Sequence, residues 1–240
     1  MKRLSIRGIE ILAVKNQTAF INFLLEEQGI RTGKLVAINA EKVILAEEDP
    51  TTQQIIADAE YKYADGISVV KSIHKKFPDY RYLERIAGAD LWLGLMQRSA
   101  ELQIPVFLIG GQAVVLAQTF AKLTEMGLEI VGMQDGYFDP NEEEQLIQKV
   151  KASGARIITV ALGSPKQENL MARMQQAYPD ALYMGVGGSY DVFVGKVKRA
   201  PKGWQRLGLE WLYRLFHQPT RWKRQKRLLK YAYYYLTNQL

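Results

Sequence analysis

Over the first 190 or so positions, apolar residues come in short unbroken runs, each closed by a glycine or polar turn and followed by helical spacing. KLVAINA (34–40) is such a run, and the helical pattern behind it carries Val43, Ile44 and Ala46. Pro50 interrupts that pattern, so a second helix is expected to start at Thr51 or Thr52. YKYADGISVV (61–70) places Asp65 on a turn, with helical spacing from Ser68. PVFLIGG (105–111) leads into AVVLAQTFAKLTEMG, and LEIVGMQDGYF (128–138) leads into NEEEQLIQKVKASG. RIITVALGSPKQE repeats the scheme and ALYMGVGGSYD closes it. Apolar runs alternating with helices of about 10–15 residues indicate crossover units, hence an α/β fold with a largely parallel sheet flanked by helices. No repeat of fixed period is present.

After residue 195 the pattern changes. KGWQRLGLEWLYRLF carries Trp204, Leu207, Trp211 and Leu215 at helical spacing, with Arg206, Glu210 and Arg214 as a narrow polar stripe. Beyond Pro219, TRWKRQKRLLKYAYYYL combines six Lys or Arg, among them Arg221, Lys223 and Arg224, with Trp222 and four tyrosines. The expected organisation is an α/β core over 1–195 and a basic, aromatic, amphipathic helical appendage over 196–240.

Charge sharpens that division. The net charge of the 240-residue chain is +7, but from Lys196 onward 12 Lys or Arg face one acidic residue, leaving a mildly acidic body and a strongly basic end. Such asymmetry points to an anionic partner at that end, and basic residues mixed with interfacial aromatics suit the headgroup region of an anionic bilayer. A basic helix packed on its own domain is the plainer alternative, and no nucleic-acid-binding motif accompanies the charge. The N-terminal apolar run is broken by Arg7 and Glu10 and is no signal peptide. No window reaches the roughly 18–20 apolar residues of a membrane span, so attachment without crossing is expected.

With no cysteine, thiolate metal sites and disulfides are excluded. His74 and His217 are far apart, no Asp-X-Asp occurs, and no Gly-X-Ser-X-Gly elbow supports a serine triad. What remains is a set of polar residues at strand ends: Asn39, Asp65, Arg85, Asp90, Asp135, Lys166, Gln167 and Asp191. Most have an ordinary role open to them. Asn39 can cap a helix, Asp90 can cap one starting at Leu91, Asp65-Gly66 and Asp135-Gly136 can be turns, and Pro165 can open a helix. Three runs also end in glycines, at Gly110-Gly111, Gly163 and Gly187-Gly188. In an open parallel sheet these loops share one edge, where ligands bind, and backbone N–H groups there suit a phosphate-bearing molecule.

Taken together, VAINAEK, YADGISVV, RIAGADL, FLIGG, QDGYF, ALGSPKQE and MGVGGSYDVFVGKVKRAPK resemble the WecG/TagA/CpsF family of bacterial glycosyltransferases over roughly residues 5–215. The resemblance implies a Rossmann-like core and a membrane-directed appendage. It implies inverting, metal-independent, cofactor-free transfer from a UDP-sugar donor to undecaprenyl-diphosphate-linked N-acetylglucosamine at the cytoplasmic face of the inner membrane. The implied donor sugar is N-acetyl-D-mannosaminuronic acid, as in enterobacterial common antigen synthesis. A related transferase of N-acetylmannosamine or another UDP-sugar is the alternative, and a non-catalytic nucleotide-sugar sensor a distant one.

By the same resemblance Asp65 is the general base, and Asn39 and Gln167 hold sugar hydroxyl or acetamido groups. Lys166 and the glycine loops would then face the departing diphosphate, and Arg85 would grip a diphosphate. Tyr137, beside Asp135-Gly136, would stack on uracil, with Asp191 at the base edge. Arg199, Arg206 or Arg214 would reach the acceptor diphosphate from the appendage.

Overall fold

The structure is a computed structural model that describes residues 1–26, 29–198, 200, 201, 203, 204 and 222–240. A hairpin, β1 (Arg3–Ile6) and β2 (Ile9–Leu12), opens the chain. Arg7 and Gly8 between its strands both have positive φ, the geometry of a two-residue primed turn. Helix α1 (Gln17–Leu24) follows, capped by Asn16, and then the two-residue strands β3 (Leu25–Glu26) and β4 (Gly29–Ile30).

The core is a six-stranded sheet. Its strands are β5 (Gly33–Ile38), β6 (Tyr61–Ala64), β7 (Val106–Gly110), β8 (Ile130–Gln134), β9 (Ile157–Ala161) and β10 (Leu182–Gly185). They lie in the order β6-β5-β10-β9-β7-β8 with every neighbouring pair parallel. This is the parallel α/β sheet the apolar runs indicate, in the Rossmann-like form the resemblance implies. Parallel strands buried on both faces read as largely apolar segments, which is why the inner strands β5, β7, β9 and β10 were visible in the sequence.

Alternate side chains divide between two layers. Val36, Ile38, Phe107, Ile109, Ile158, Val160 and Tyr183 face the layer holding the hairpin and helices α2 (Ala40–Glu48), α3 (Pro50–Ala57), α4 (Ile67–Lys76), α7 (Glu143–Ala152) and α8 (Lys166–Ala177). Leu35, Tyr63, Val106, Leu108, Ile157, Leu182 and Met184 face α1, α5 (Gly88–Glu101), α6 (Ala113–Glu125) and the short α9 (Ser189–Phe193).

Several helix starts differ from the sequence expectation by a residue or two, α4 beginning at Ile67 rather than Ser68 among them. α3 begins at Pro50 rather than at a threonine, because Asp49 accepts from the backbone N–H of both Thr51 and Thr52. α5 begins at Gly88, so Asp90 sits in its first turn instead of capping it. α8 begins at Lys166, one residue beyond Pro165.

The last helix, Trp222–Leu236, packs on the body. Tyr231 is 2% exposed and its hydroxyl lies 2.7 Å from that of Ser72 on α4. Arg227 pairs with Glu48 at 2.7 Å, and Lys230 with Glu47 at 3.3 Å. Arg7 joins this cluster, pairing with Glu47 at 2.7 Å and stacking over the Tyr234 ring at 4.2 Å. Two of the six basic side chains expected at a bilayer therefore point at acidic α2. Its outward face carries Lys226, Leu229, Tyr233 and Leu236 instead. Among the described residues no helix is long and apolar enough to cross a membrane.

Candidate active site

Parallel pairing brings every candidate loop to one edge of the sheet. Ile38 of β5 is registered with Ala64 of β6, so Asn39 and Asp65 follow side by side, and Asp65 N–H extends the ladder to Ile38 O at 3.0 Å. Asp65 Oδ1 accepts from the backbone N–H of Gly88 at the start of α5, 2.9 Å away. Arg85 Nε donates to the Asp65 carbonyl at 2.6 Å, and its guanidinium lies 4.0 Å from the carboxylate. Backbone and carboxylate are thus both held, while the side chain keeps 24% exposure. Among the described residues Oδ2 accepts no hydrogen bond. A carboxylate fixed through one oxygen, with no hydrogen bond on the other, can take a proton.

Asn39 caps α2, its Oδ1 accepting from Lys42 N–H at 2.9 Å. That leaves its carboxamide N–H groups as donors. Behind Asp65, Tyr63 is fully buried; burial first, and then the negative charge of Asp65, push its phenol well above the ordinary range. It stays neutral.

At the centre of the edge Gln167 behaves differently. It is buried, and its Oε1 accepts from the N–H of both Gly163 and Gly187, each at 3.1 Å. Gln167 therefore joins the β9 and β10 loops, with its oxygen engaged inside the protein rather than presented to a sugar. Lys166, its neighbour at the first position of α8, is exposed.

The far side has a compact frame. Gly110 has φ +103°, and a Cβ there would sit 2.5 Å from the Ala161 carbonyl oxygen, so the β7 and β9 ends touch through bare backbone. Gly111 N–H donates to Ala161 O at 3.1 Å, and Gly136 N–H to Gly111 O at 2.8 Å. Asp135 closes its own turn by accepting from Tyr137 N–H at 2.8 Å, which leaves the Tyr137 ring 76% exposed. The N–H groups of Gly111, Gly136, Gly163 and Gly187 thus all bond within the protein. Beside them α6 starts without a side-chain cap. Its N-cap residue Gln112 instead accepts from Lys196 at 2.6 Å, and Lys196 also lies 3.4 Å from Asp191.

A hollow of about 310 Å³ lined by Lys34, Asp58, Gln175 and Pro179 lies near the start of β5 and β10, at the opposite edge from these loops. Arg199, Arg206, Arg214 and Arg221 lie outside the described residues, as do the side chains of Trp222, Lys223 and Arg224.

Sequence reasoning did not reach Gly88, whose N–H holds Asp65, or Lys42, Glu168 and Lys196. All four stand within motifs already noted, RIAGADL, VAINAEK, ALGSPKQE and MGVGGSYDVFVGKVKRAPK, which was the available signal. Among the described residues no three His, Asp or Glu side chains cluster as metal ligands.

With that geometry in place, the chain can be compared with known families. The model of the glycosyl transferase WecG/TagA/CpsF family covers residues 4–240, and the chain belongs to that family.

Proposed function

From that membership and the crevice just described, we propose that this glycosyltransferase moves a sugar from a UDP donor to an undecaprenyl-diphosphate-linked N-acetylglucosamine acceptor, inverting the anomeric centre. The observation that carries the reading is Asp65, held through Oδ1 by Gly88 N–H and through its carbonyl by Arg85, with its side chain 24% exposed. Inversion requires a base on the face opposite the leaving group, to take the acceptor hydroxyl proton as oxygen attacks the anomeric carbon. Asn39, one strand over, donates to the sugar and orients it.

Charge developing on departing UDP is met by the uncapped start of α6 and by Lys166. With most glycine-loop amides bonded internally, this division differs from one in which those amides hold the diphosphate. The proposed transfer proceeds without a metal ion. The proposed donor sugar is N-acetyl-D-mannosaminuronic acid, which places the reaction in enterobacterial common antigen synthesis.

The acceptor's lipid cannot leave the bilayer, so the enzyme works as a peripheral protein on the cytoplasmic face. The 196–240 segment is the docking appendage, and the outward Leu229, Tyr233 and Leu236 suit the headgroup boundary better than the inward Arg227 and Lys230.

The test is transfer by purified protein to undecaprenyl-diphosphate-N-acetylglucosamine in anionic vesicles, with UDP-N-acetylmannosaminuronic acid and UDP-N-acetylmannosamine compared. Product from the first supports the reading. Preference for the second overturns the donor assignment, and UDP binding without transfer from either overturns the enzyme.

A further inference from the structure

Helices α2 and α8 are joined by one buried ion pair, Lys42 Nζ to Glu168 Oε1 at 2.8 Å, with the two residues 7% and 3% exposed. Taking two charges out of water is costly, and apolar residues of similar volume usually serve stability as well or better. The surroundings of the pair supply another reason for it. The backbone N–H of Lys42 is the group that Asn39 caps, so the cation stands on the helical turn that Asn39 starts. Glu168 Oε1 also accepts from Gln167 Nε2 at 3.0 Å. Gln167 Oε1 in turn accepts from Gly163 and Gly187 N–H. One chain of contacts therefore runs from the end of β5 to the loops after β9 and β10.

The carboxamide of Gln167 is the sensitive link. Turned over, it would set its N–H groups against two backbone donors and its oxygen against a carboxylate, so the anion beside it selects one orientation. Burial pushes the Glu168 carboxyl up, but the charge and hydrogen bond of Lys42, with Gln167, outweigh that and keep it below the ordinary carboxylate range, hence ionised. The amide also has little room to move. A Cβ on Gly185 would lie 2.4 Å from its Nε2.

We propose that Lys42 and Glu168 are positioning residues: their buried pair locks Gln167 in the orientation that gathers the Gly163 and Gly187 loops, and so sets the donor side of the crevice relative to Asn39. This rests on the transfer reading above for its consequence in catalysis, but not for the lock itself.

The decisive variant is Lys42→Met/Glu168→Leu, which replaces the pair with apolar side chains. Its Tm should stay close to wild type, while amide exchange at Gly163 and Gly187 quickens about 10-fold and KM for the UDP-sugar rises about 10–100-fold, more than kcat falls. Should that variant not fold, Glu168→Gln replaces it. Its carbonyl oxygen can replace Oε1 toward both Lys42 and Gln167, but the negative charge that anchors them is gone, and exchange at the two glycines should rise several-fold. Wild-type exchange and wild-type KM in either folded variant would overturn the proposal. Wild-type protein that turns over no UDP-sugar would refute the transfer reading alone, because the exchange measurement still decides the lock.

Discussion

At the carboxyl edge of the sheet, Asp65 lies beside Arg85 yet its side chain keeps 24% exposure, and Lys166 next to the glycine loops is exposed. On α2, by contrast, Glu47 and Glu48 meet Arg7, Arg227 and Lys230 in close pairs, and the charge there is largely cancelled. Before folding, the second region is the more conspicuous, because the basic run is dense while the crevice residues are scattered over 150 positions. Charge density in a sequence thus says little until it is known how much of that charge the fold itself neutralises. The two regions should also respond to substitution in opposite ways: the crevice through turnover at constant stability, the helix through stability at constant turnover.

The largest effect is expected at Asp65. In Asp65→Asn the amide oxygen still accepts from Gly88 N–H, so the Tm should move by no more than about 2 °C. Transfer should fall about 10²–10⁴-fold with loss of the base. Steady-state assay beside thermal unfolding separates the two quantities. Near-wild-type turnover would erase the contrast by removing Asp65 from the chemistry.

Next comes the frame of the crevice. Gly110→Ala puts a methyl group 2.5 Å from a backbone oxygen at positive φ, where neither side can yield cheaply. Unfolding free energy should drop by about 1–3 kcal/mol, seen as a lower urea midpoint with an unchanged m-value. A neutral result would show that the β7 and β9 ends are looser than drawn here.

How much of this was legible beforehand follows from where each signal resides. The inner parallel strands were readable because burial on both faces leaves an apolar run in one place. The hairpin of residues 3–12 was not: its four-residue strands are interrupted by Arg7-Gly8, and Arg7 has its own role in pairing with Glu47. That Asp65, Asn39 and the glycine loops share an edge follows from parallel order alone. Which way each side chain turns does not, since Gln167 and Lys166 are adjacent in sequence yet one is buried and the other exposed. The partners of the basic helix lie some 180 positions away on α2, beyond the reach of any local pattern.

On the helix side, Tyr231→Phe removes a buried hydroxyl bonded to Ser72 and should cost about 1 kcal/mol. The phenol also carries a pH signature. Burial raises it from 10.0 to about 12, so the folded state favours the protonated form. Its contribution is complete below pH 10 and is lost as pH rises from about 10 to 12, where the unfolded chain ionises first. Urea midpoints across that window should fall less steeply for Tyr231→Phe than for wild type. Transfer to a water-soluble acceptor analogue should be unchanged, and its loss would tie this helix to the crevice.

The smallest effect sharpens the comparison most. Partial burial pushes the Glu47 carboxyl up, but hydrogen bonding and charge from Arg7, with help from Tyr234 and Lys230, hold it below its ordinary 4.5. The stability it contributes is therefore present above about pH 4.5 and lost as pH falls through that lowered value. Because the pairs face solvent, Glu47→Gln should cost no more than about 1 kcal/mol at neutral pH, and less in high salt. Arg7, Lys230 and the Tyr234 hydroxyl would then meet a neutral amide, and the first two would be left to solvent or to Glu48. If the helix remains docked, Tyr231 stays protected and transfer to the soluble analogue is untouched, as cancelled charge requires. A large drop in turnover would instead mean that the inward charges hold the helix where the reaction needs it, and that the two regions act as one.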